Sequence, residues 1–501
     1  MKRWWSTSFV VLWATQVNVS CLPADPFECT IDAQCGAQVE GAQCQSTGFC
    51  SFPDEACSSG QRYGELAGMG LAGQCVEQEG GSTGPTIDPE ASGTTATSAA
   101  DSSGSGTSEP GTGTTAGPEC GAVGQPCCEG ICDAEATCTD GSCEPCVLLL
   151  DVDEYYSCAT RADGITACWG SDDFGQLGDG PTAHPGGSSE PVVLDGVLGY
   201  LDLGAFHGCG TGPDGLLCWG RNGSGQLGLG STYEQQPSPV GVGLMGEVVD
   251  LAGGSFHTCA LTATGEVWCW GANGDGQLGE PMMGSSDVPV PLTMLGDVVD
   301  VAAGAFHTCV LDATGTVTCW GRNDVGELGA EGPVEPGQRV EVVGLPPARA
   351  LTLGDFHGCI ITEGTDEVWC WGANGFGQTG EGAVGDVAAP HLVPGVTAVQ
   401  SIDAGDDHTC VITPEGAACW GNNVAGQLGT PGDMSTPVPL FVEIEGVTRI
   451  RGGREHTCVV TDEPAIQCFG RNGDGQLGDG TFVGGPTPVT ALFGCGYQPQ
   501  G

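Results

Sequence analysis

Histidine, cysteine and tryptophan stand within a few residues of one another between Gly253 and Gly279, in the run GGSFHTCALTATGEVWCWGANGDGQLG. His257, Cys259 and Cys269 are types that ligate metals or serve as base and nucleophile, and Trp270 could stack on a planar ligand. The same spacing returns six more times. The first cysteines are Cys158, Cys209, Cys259, Cys309, Cys359, Cys410 and Cys458, and the second are Cys168, Cys218, Cys269, Cys319, Cys370, Cys419 and Cys468. His207, His257, His307, His357, His408 and His456 hold one position, with Tyr156 in the first copy. An active site is normally built once, from residues unlike their surroundings. A constellation repeated in every unit is scaffold: each imidazole belongs to its own repeat, faces the glycine of Trp-Gly and bonds a backbone group.

Other chemistry is thin. Asn472 to Gly480 is similar in outline to a calcium loop, but it lacks alternating carboxylates and a terminal Glu. Asp172-Asp173 and Asp406-Asp407 read as solvated acids. His184 and His391 lie off the repeat, in variable segments, and no Walker loop is present. The expectation is a chain with no catalytic residue, no metal and no cofactor, and hence not an enzyme.

The elements that position these residues follow from a period of about fifty, which means a solenoid or a propeller. Each unit alternates short apolar runs with turns and has no helical period. In the third copy Val248 to Ala252, His257 to Leu261 and Val267 to Gly271 read as strands, with a turn at Ala263-Thr264-Gly265. Pro289-Val290-Pro291-Leu292 reads as a late outer strand. Four antiparallel strands per unit make a propeller blade, and seven blades close a ring. The fold class is all-β. If the two cysteines of a copy oppose one another on a hairpin, His257 faces Gly271 and Thr258 faces Trp270, and a disulfide spans the pair. The pairs are Cys158–Cys168, Cys209–Cys218, Cys259–Cys269, Cys309–Cys319, Cys359–Cys370, Cys410–Cys419 and Cys458–Cys468. Each closes a loop of about ten residues and contributes roughly 2–3 kcal/mol. Trp169, Trp219, Trp270, Trp320, Trp371, Trp420 and, in the last copy, Phe469 then point to the opposite face and pack between blades.

Composition sets the compartment and excludes partners. The 501 residues carry a formal net charge of -51, with 12 Lys and Arg against 63 Asp and Glu. Such a chain does not bind nucleic acid, and it does not dock on an anionic membrane by charge. Its 29 cysteines indicate an oxidising compartment. Residues 1–20 have a signal-peptide layout, with Lys2-Arg3 before an apolar core. Val19-Ser20-Cys21 ends like a lipobox, so lipidation at Cys21 and anchoring to an outer membrane or cell surface are expected, with secretion as the alternative. Residues 21–77 form a Cys-rich disulfide module and 78–118 a Gly/Ser/Thr/Pro-rich flexible linker. Residues 119–146 form a second Cys-rich module, and 147–495 the propeller. Cys146 and Cys495 remain once the others are paired, and are expected to bond to each other.

The repeat resembles the RCC1-like repeat, named for the regulator of chromosome condensation. The resemblance rests on Leu251-Ala252-Gly253-Gly254-Ser255-Phe256-His257-Thr258, Trp270-Gly271, Asn273 and Gly276-Gln277-Leu278-Gly279, recurring over about residues 147 to 492. Lapses are Tyr156 for His, Glu327 for Gln, Thr379 for Leu, and Ser171-Asp172 lacking Asn. The paired cysteines depart from the usual aliphatic or small residues. The resemblance implies a seven-bladed β-propeller and protein binding through loops on one face. Fold alone does not fix function. The reading is a non-catalytic exported binding module, a monomer, presenting the loops after Gly-Gln-Leu-Gly to a protein or glycan. A hydrolase or lyase acting on an extracellular polysaccharide is the alternative, marked by carboxylates clustered at one mouth of the channel. A family-type regulator of a GTPase is disfavoured by export and acidity.

Overall fold

The computed structural model describes residues 147–494, apart from 181–183, 185, 198, 282–283, 433 and 463–464, and five short strands before them. The expected signal peptide, Cys21, the linker and the Cys146–Cys495 pair lie outside the described residues. The chain divides into two units, Met1–Thr115 and Ala116–Gly501. In the first, Gln43–Cys44, Cys50–Pro53 and Gln61–Tyr63 form a three-stranded antiparallel sheet. In the second, Ala136–Thr139 pairs with Ser142–Pro145, and seven four-stranded sheets follow.

Each sheet is a meander whose strands pair in chain order, and it is one blade. Blade 3 consists of Val248–Gly253, His257–Thr262, Val267–Gly271 and Ser286–Pro291. Its second strand is buried along its whole length, because neighbouring blades cover both faces. The outer strand starts three residues earlier than the Pro-Val run suggested. It is half exposed, and Pro289 and Pro291 sit where a missing N–H costs little. The innermost strands, Val147–Asp153, Leu201–Gly204, Val248–Gly253, Val298–Ala303, Ala348–Leu353, Ser401–Ala404 and Val447–Gly452, lie side by side in sequence order. The last also meets the first, so the ring closes after seven blades.

The register is the one that the cysteine spacing requires. His257 opposes Gly271, Thr258 opposes Trp270, and Cys259 opposes Cys269. All seven pairs are disulfide-bonded, with Cα atoms 4.0 to 4.2 Å apart. The period of two sends the tryptophans to the other face. The Cys259–Cys269 bridge packs with Leu278 against Trp320 of blade 4, while Trp270 packs against the Cys209–Cys218 bridge of blade 2. All six tryptophans are fully buried. Each indole N–H donates across the junction to a carbonyl of the preceding blade's Gly-Gln-Leu-Gly turn, as Trp270 Nε1 does to Gln226 O at 2.7 Å. Because the acceptor is backbone, Glu327 serves Trp371 equally well at 2.9 Å.

Two glycines explain the fixed letters around this contact. Gly271 has φ of 107°, and a Cβ there would stand 2.5 Å from Phe256 O. Gly279 has φ of 71° and lies on the Trp320 indole, where a Cβ would meet Cε2 at 2.8 Å. Any other residue would push the indole out of its slot.

Candidate functional site

The innermost strands have one edge unpaired, and their N–H groups need acceptors. One side chain per strand answers this by reaching sideways to the next blade. Asp151 accepts from Leu203 N at 2.7 Å, Asp250 from Val301 N at 3.1 Å, and Asp300 from Leu351 N at 3.2 Å. Asp202 accepts from Gly253 N, Thr352 Oγ1 from Ala404 N, and Asp403 from Gly452 N. Blade 7 offers Arg451, which cannot accept. Its guanidinium instead lies 3.5 Å from Asp151 and 3.6 Å from Asp403, closing the ring by charge. These residues line a cavity of about 330 Å³ on the axis.

Five carboxyls around one guanidinium cannot all ionise cheaply. Burial pushes Asp300 up to about 8, with the neighbouring Asp250 adding to the shift. Burial raises Asp151 to about 7 although Arg451 opposes it. Asp202, Asp250 and Asp403 are raised by burial as well.

The next level of the channel is its mouth, formed where each innermost strand turns back into the second. The turn places two variable residues just before the histidine position. In blades 2 to 4 they are Ala205-Phe206, Ser255-Phe256 and Ala305-Phe306, and blade 5 has Asp355-Phe356. Blades 6, 7 and 1 have Asp406-Asp407, Arg454-Glu455 and Glu154-Tyr155. The mouth therefore has an aromatic half and a charged half.

In the charged half, oxygens of Glu154, Asp355 and Asp406 lie within 4.8 Å of one another, close enough to share a cation. Arg454 donates to Glu154 at 2.8 Å and stands 4.0 Å from Asp406. Burial, then Glu154 and Asp407, raise Asp355 to about 7. Asp406 is pushed far up by burial and by Asp355. In the aromatic half the rings of Phe174, Phe206, Phe256, Phe306 and Phe356 run in a row, with successive centroids 5.3, 6.1, 6.0 and 6.3 Å apart. Arg221 stacks over Phe174, Phe206 and Phe256 at 4.8, 5.3 and 5.2 Å, and Arg322 over Phe306 and Phe356.

The repeated residues are placed as scaffold, with corrections. All six histidines are buried, and burial lowers them to about 3 or 4, so they stay neutral. In five of the six, Nε2 meets a hydroxyl of the next blade rather than a backbone group: His257 meets Thr308 Oγ1 at 2.8 Å and His456 meets Ser157 Oγ at 2.9 Å. The hydroxyl passes the bond on, as Thr308 does to Gln277 O. Blade 5 has Gly358 where most other blades have the hydroxyl residue, and His307 Nε2 has no hydrogen-bond partner among the described residues. Tyr156 occupies the histidine position beside Gly208, and its hydroxyl reaches Gly204 O.

The aspartate pairs are not simply solvated. Asp406 is 8% exposed and belongs to the mouth. Asp172 stands where other copies have Asn, accepts from Leu177 N at 3.0 Å, and is raised to about 6 by burial. Asn472 accepts from Leu477 N at 3.0 Å, which makes the Asn472 to Gly480 segment an ordinary repeat turn. The channel acids escaped the sequence reading, although one signal was present. Asp151, Asp202, Asp250, Asp300 and Asp403 each interrupt an apolar inner-strand run.

The RCC1-like domain family matches the chain over residues 215–498. The human Protein RCC2 is 32% identical over 134 residues, 25% of this chain and 25% of that protein. The human E3 ubiquitin-protein ligase HERC2 is 30% identical over 130 residues, 24% of this chain and 3% of that protein. The chain thus spans a quarter or less of the length of these curated relatives. Yeast RCC1 (Prp20) bound to Kap60 superposes with a TM-score of 0.59 at 20% identity, over 69% of this chain and 84% of that one. Human WBSCR16 does so with a TM-score of 0.56 at 21% identity, over 63% and 87%. At such identity these structures share the fold alone. The repeat register, the closed ring of seven blades and the family match together make this chain a member of the RCC1-like domain family.

Proposed function

We propose that this propeller is a non-catalytic binding module, held outside the cell by a lipid anchor or secreted. It presents the end of the ring that carries the channel mouth and the loops after Gly-Gln-Leu-Gly to a protein or glycan. The observation that carries this reading is the apolar surface at that end. The Phe206 to Phe356 row lies at its centre, and exposed apolar tips surround it on the loops, including Tyr233 at 80% and Phe482 at 57% exposure. The opposite end also has exposed apolar residues, Met245 and Met294, but no aromatic row among the described residues, and an apolar patch built round such a row marks an interaction site. Seven disulfides support an oxidising, exported setting.

A second reading has its own support. Carboxylates gathered at one mouth are what a polysaccharide hydrolase or lyase would need, and raised Asp355 resembles a general acid. Against it, Arg454 already binds Glu154, and the same carboxyls have a structural reason to be raised, namely burial beside one another. A regulator of a GTPase is the third reading, and an exported chain would not meet one in the cytosol or nucleus.

The test uses the full chain and its Tyr233→Ser/Phe482→Ser variant. Both are immobilised against envelope extract of the producing cell and incubated with acidic and neutral polysaccharides. A partner retained by the wild type and lost by the variant supports the binding module. Failure to retain any partner, together with polysaccharide turnover that Asp355→Asn abolishes, would establish the hydrolase instead.

A further inference from the structure

Three blades place an arginine directly after Trp-Gly or its Phe-Gly counterpart: Arg221 in blade 2, Arg322 in blade 4 and, after Phe469-Gly470, Arg471 in blade 7. All three guanidiniums lie over aromatic rings of the mouth. Two are also tied by carboxylates. Arg322 pairs with Asp324 at 2.7 Å and lies 3.7 Å from Glu327. Arg471 pairs with Glu455 at 3.0 Å and Asp474 at 3.2 Å. At the equivalent positions blade 2 has Gly223 for Asp324, Gln226 for Glu327, Phe206 for Glu455 and Ser224 for Asp474. The four carboxylates that tie its counterparts are thus absent from blade 2, and its guanidinium makes no ion pair or hydrogen bond among the described residues. Among the described arginines of the propeller only Arg221 and Arg449 lack a carboxylate partner, and Arg449 lies in the inner strand of blade 7, away from the aromatic row.

We infer that Arg221 is the anchor of the binding face and takes a single Asp or Glu side chain of a protein partner. This rests on the binding-module reading and names the partner's chemistry. The three phenyl rings fix the planar fork in place, so little side-chain freedom is lost when a carboxylate bonds it in bidentate fashion. The surrounding phenyls keep water from that bond, as the rim of an interface hot spot does. A protein suits the site better than an acidic sugar. Successive rings from Phe206 to Phe356 are inclined by 30 to 34° with guanidiniums over them, rather than laid out as one flat platform on which a pyranose would stack. The net charge of -51 repels a strongly acidic partner at long range. The carboxylate therefore stands on a neutral or basic surface.

A random peptide library displayed on phage and selected against the full chain tests this, with an array of uronic-acid oligosaccharides in parallel. The selected peptides should share an Asp or Glu whose change to Asn or Gln weakens binding about tenfold or more, the scale of a charge-assisted bond. Arg221→Ala should lose the same factor, Arg221→Lys part of it, and the two losses should not add. Arg349→Ala, at the other end of the blades, should leave the dissociation constant unchanged. Circular dichroism and a free-thiol count establish that each variant is folded. Peptides without an acid, or peptides that bind Arg221→Ala as well as wild type, would overturn the inference and leave the binding module standing. Oligosaccharide binding that depends on Arg221, without any peptide, would overturn the protein partner. No binder of either kind would sink the binding-module reading with it.

Discussion

The aromatic and the charged halves of the channel mouth are the same piece of backbone. Both are turns that precede a buried histidine or Tyr156, both lie on junctions packed by a buried tryptophan or by Phe469, and both are crossed by arginines. They differ in two side chains per blade. Phe206, Phe256 and Phe306 satisfy themselves by packing in a row, whereas Asp406, Glu154 and Asp355 crowd like charges and need Arg454. The comparison separates what the repeat must keep from what it is free to vary. Residues between blades are held by neighbours on both sides. Residues at the mouth meet only one another and whatever approaches from solvent.

If the scaffold is common to both halves, Trp219→Ala and Trp420→Ala should cost about the same, roughly 3–5 kcal/mol each, because each empties a fully buried slot. Denaturant unfolding with disulfides intact measures this, and a clear inequality would break the equivalence. The arginines should differ more. Arg451→Ala leaves crowded channel acids without their cation, but the side chain keeps 38% exposure, so about 1–3 kcal/mol is expected. Arg221→Ala removes only stacking at a half-open site, about 0.5–1 kcal/mol. Equal losses would mean that Arg221 has a hidden partner.

The two chemistries also titrate in opposite senses. A carboxyl raised in the folded chain takes up a proton on folding. Its contribution is present below the unfolded value of about 3.9 and is lost as pH rises through the folded value. For Asp151 and Asp355 that value is about 7, and for Asp300 about 8. The buried histidines are depressed to about 3 or 4, so their contribution is present above about 6.5 and lost as pH falls through the folded values. The two trends oppose one another from about pH 4 to 6.5, and above about 6.5 only the carboxyls act, so thermal stability should fall between about pH 6.5 and 8. Asp300→Asn should flatten that fall and remove its share of the slope from about pH 4 upward, and an unchanged limb above about 6.5 would count against the raised channel acids. A small effect, on the scale of Arg221→Ala, is expected at the centre of the aromatic row. Phe256→Ala should cost about 1 kcal/mol, since the ring is only half buried, while loosening Arg221, which loss of peptide binding would report.

Much of this was legible in the chain. The period of fifty and the turn residues marked blades, and the fixed spacing of Cys259, Cys269 and Trp270 set the hairpin register. A side-chain period of two then placed the bridge on one face and the indole on the other. The shared histidine position marked those residues as scaffold, although their partner, a hydroxyl some fifty residues away, was not apparent. The channel acids were visible as interruptions of apolar runs, yet nothing local said that they would meet.

The sequence by itself determined the fold class, the number of repeats, the bridge positions and the residues on each strand face. These follow from local spacing and from the alternation of side chains along a strand. Only the tertiary structure decided which mouth residues converge, that Arg451 closes the channel ring, and that Arg322 and Arg471 have carboxylate partners while Arg221 has none among the described residues. Those relations join residues from different blades around a common axis. They depend on how far each blade is rotated from the last, a quantity that no single repeat contains.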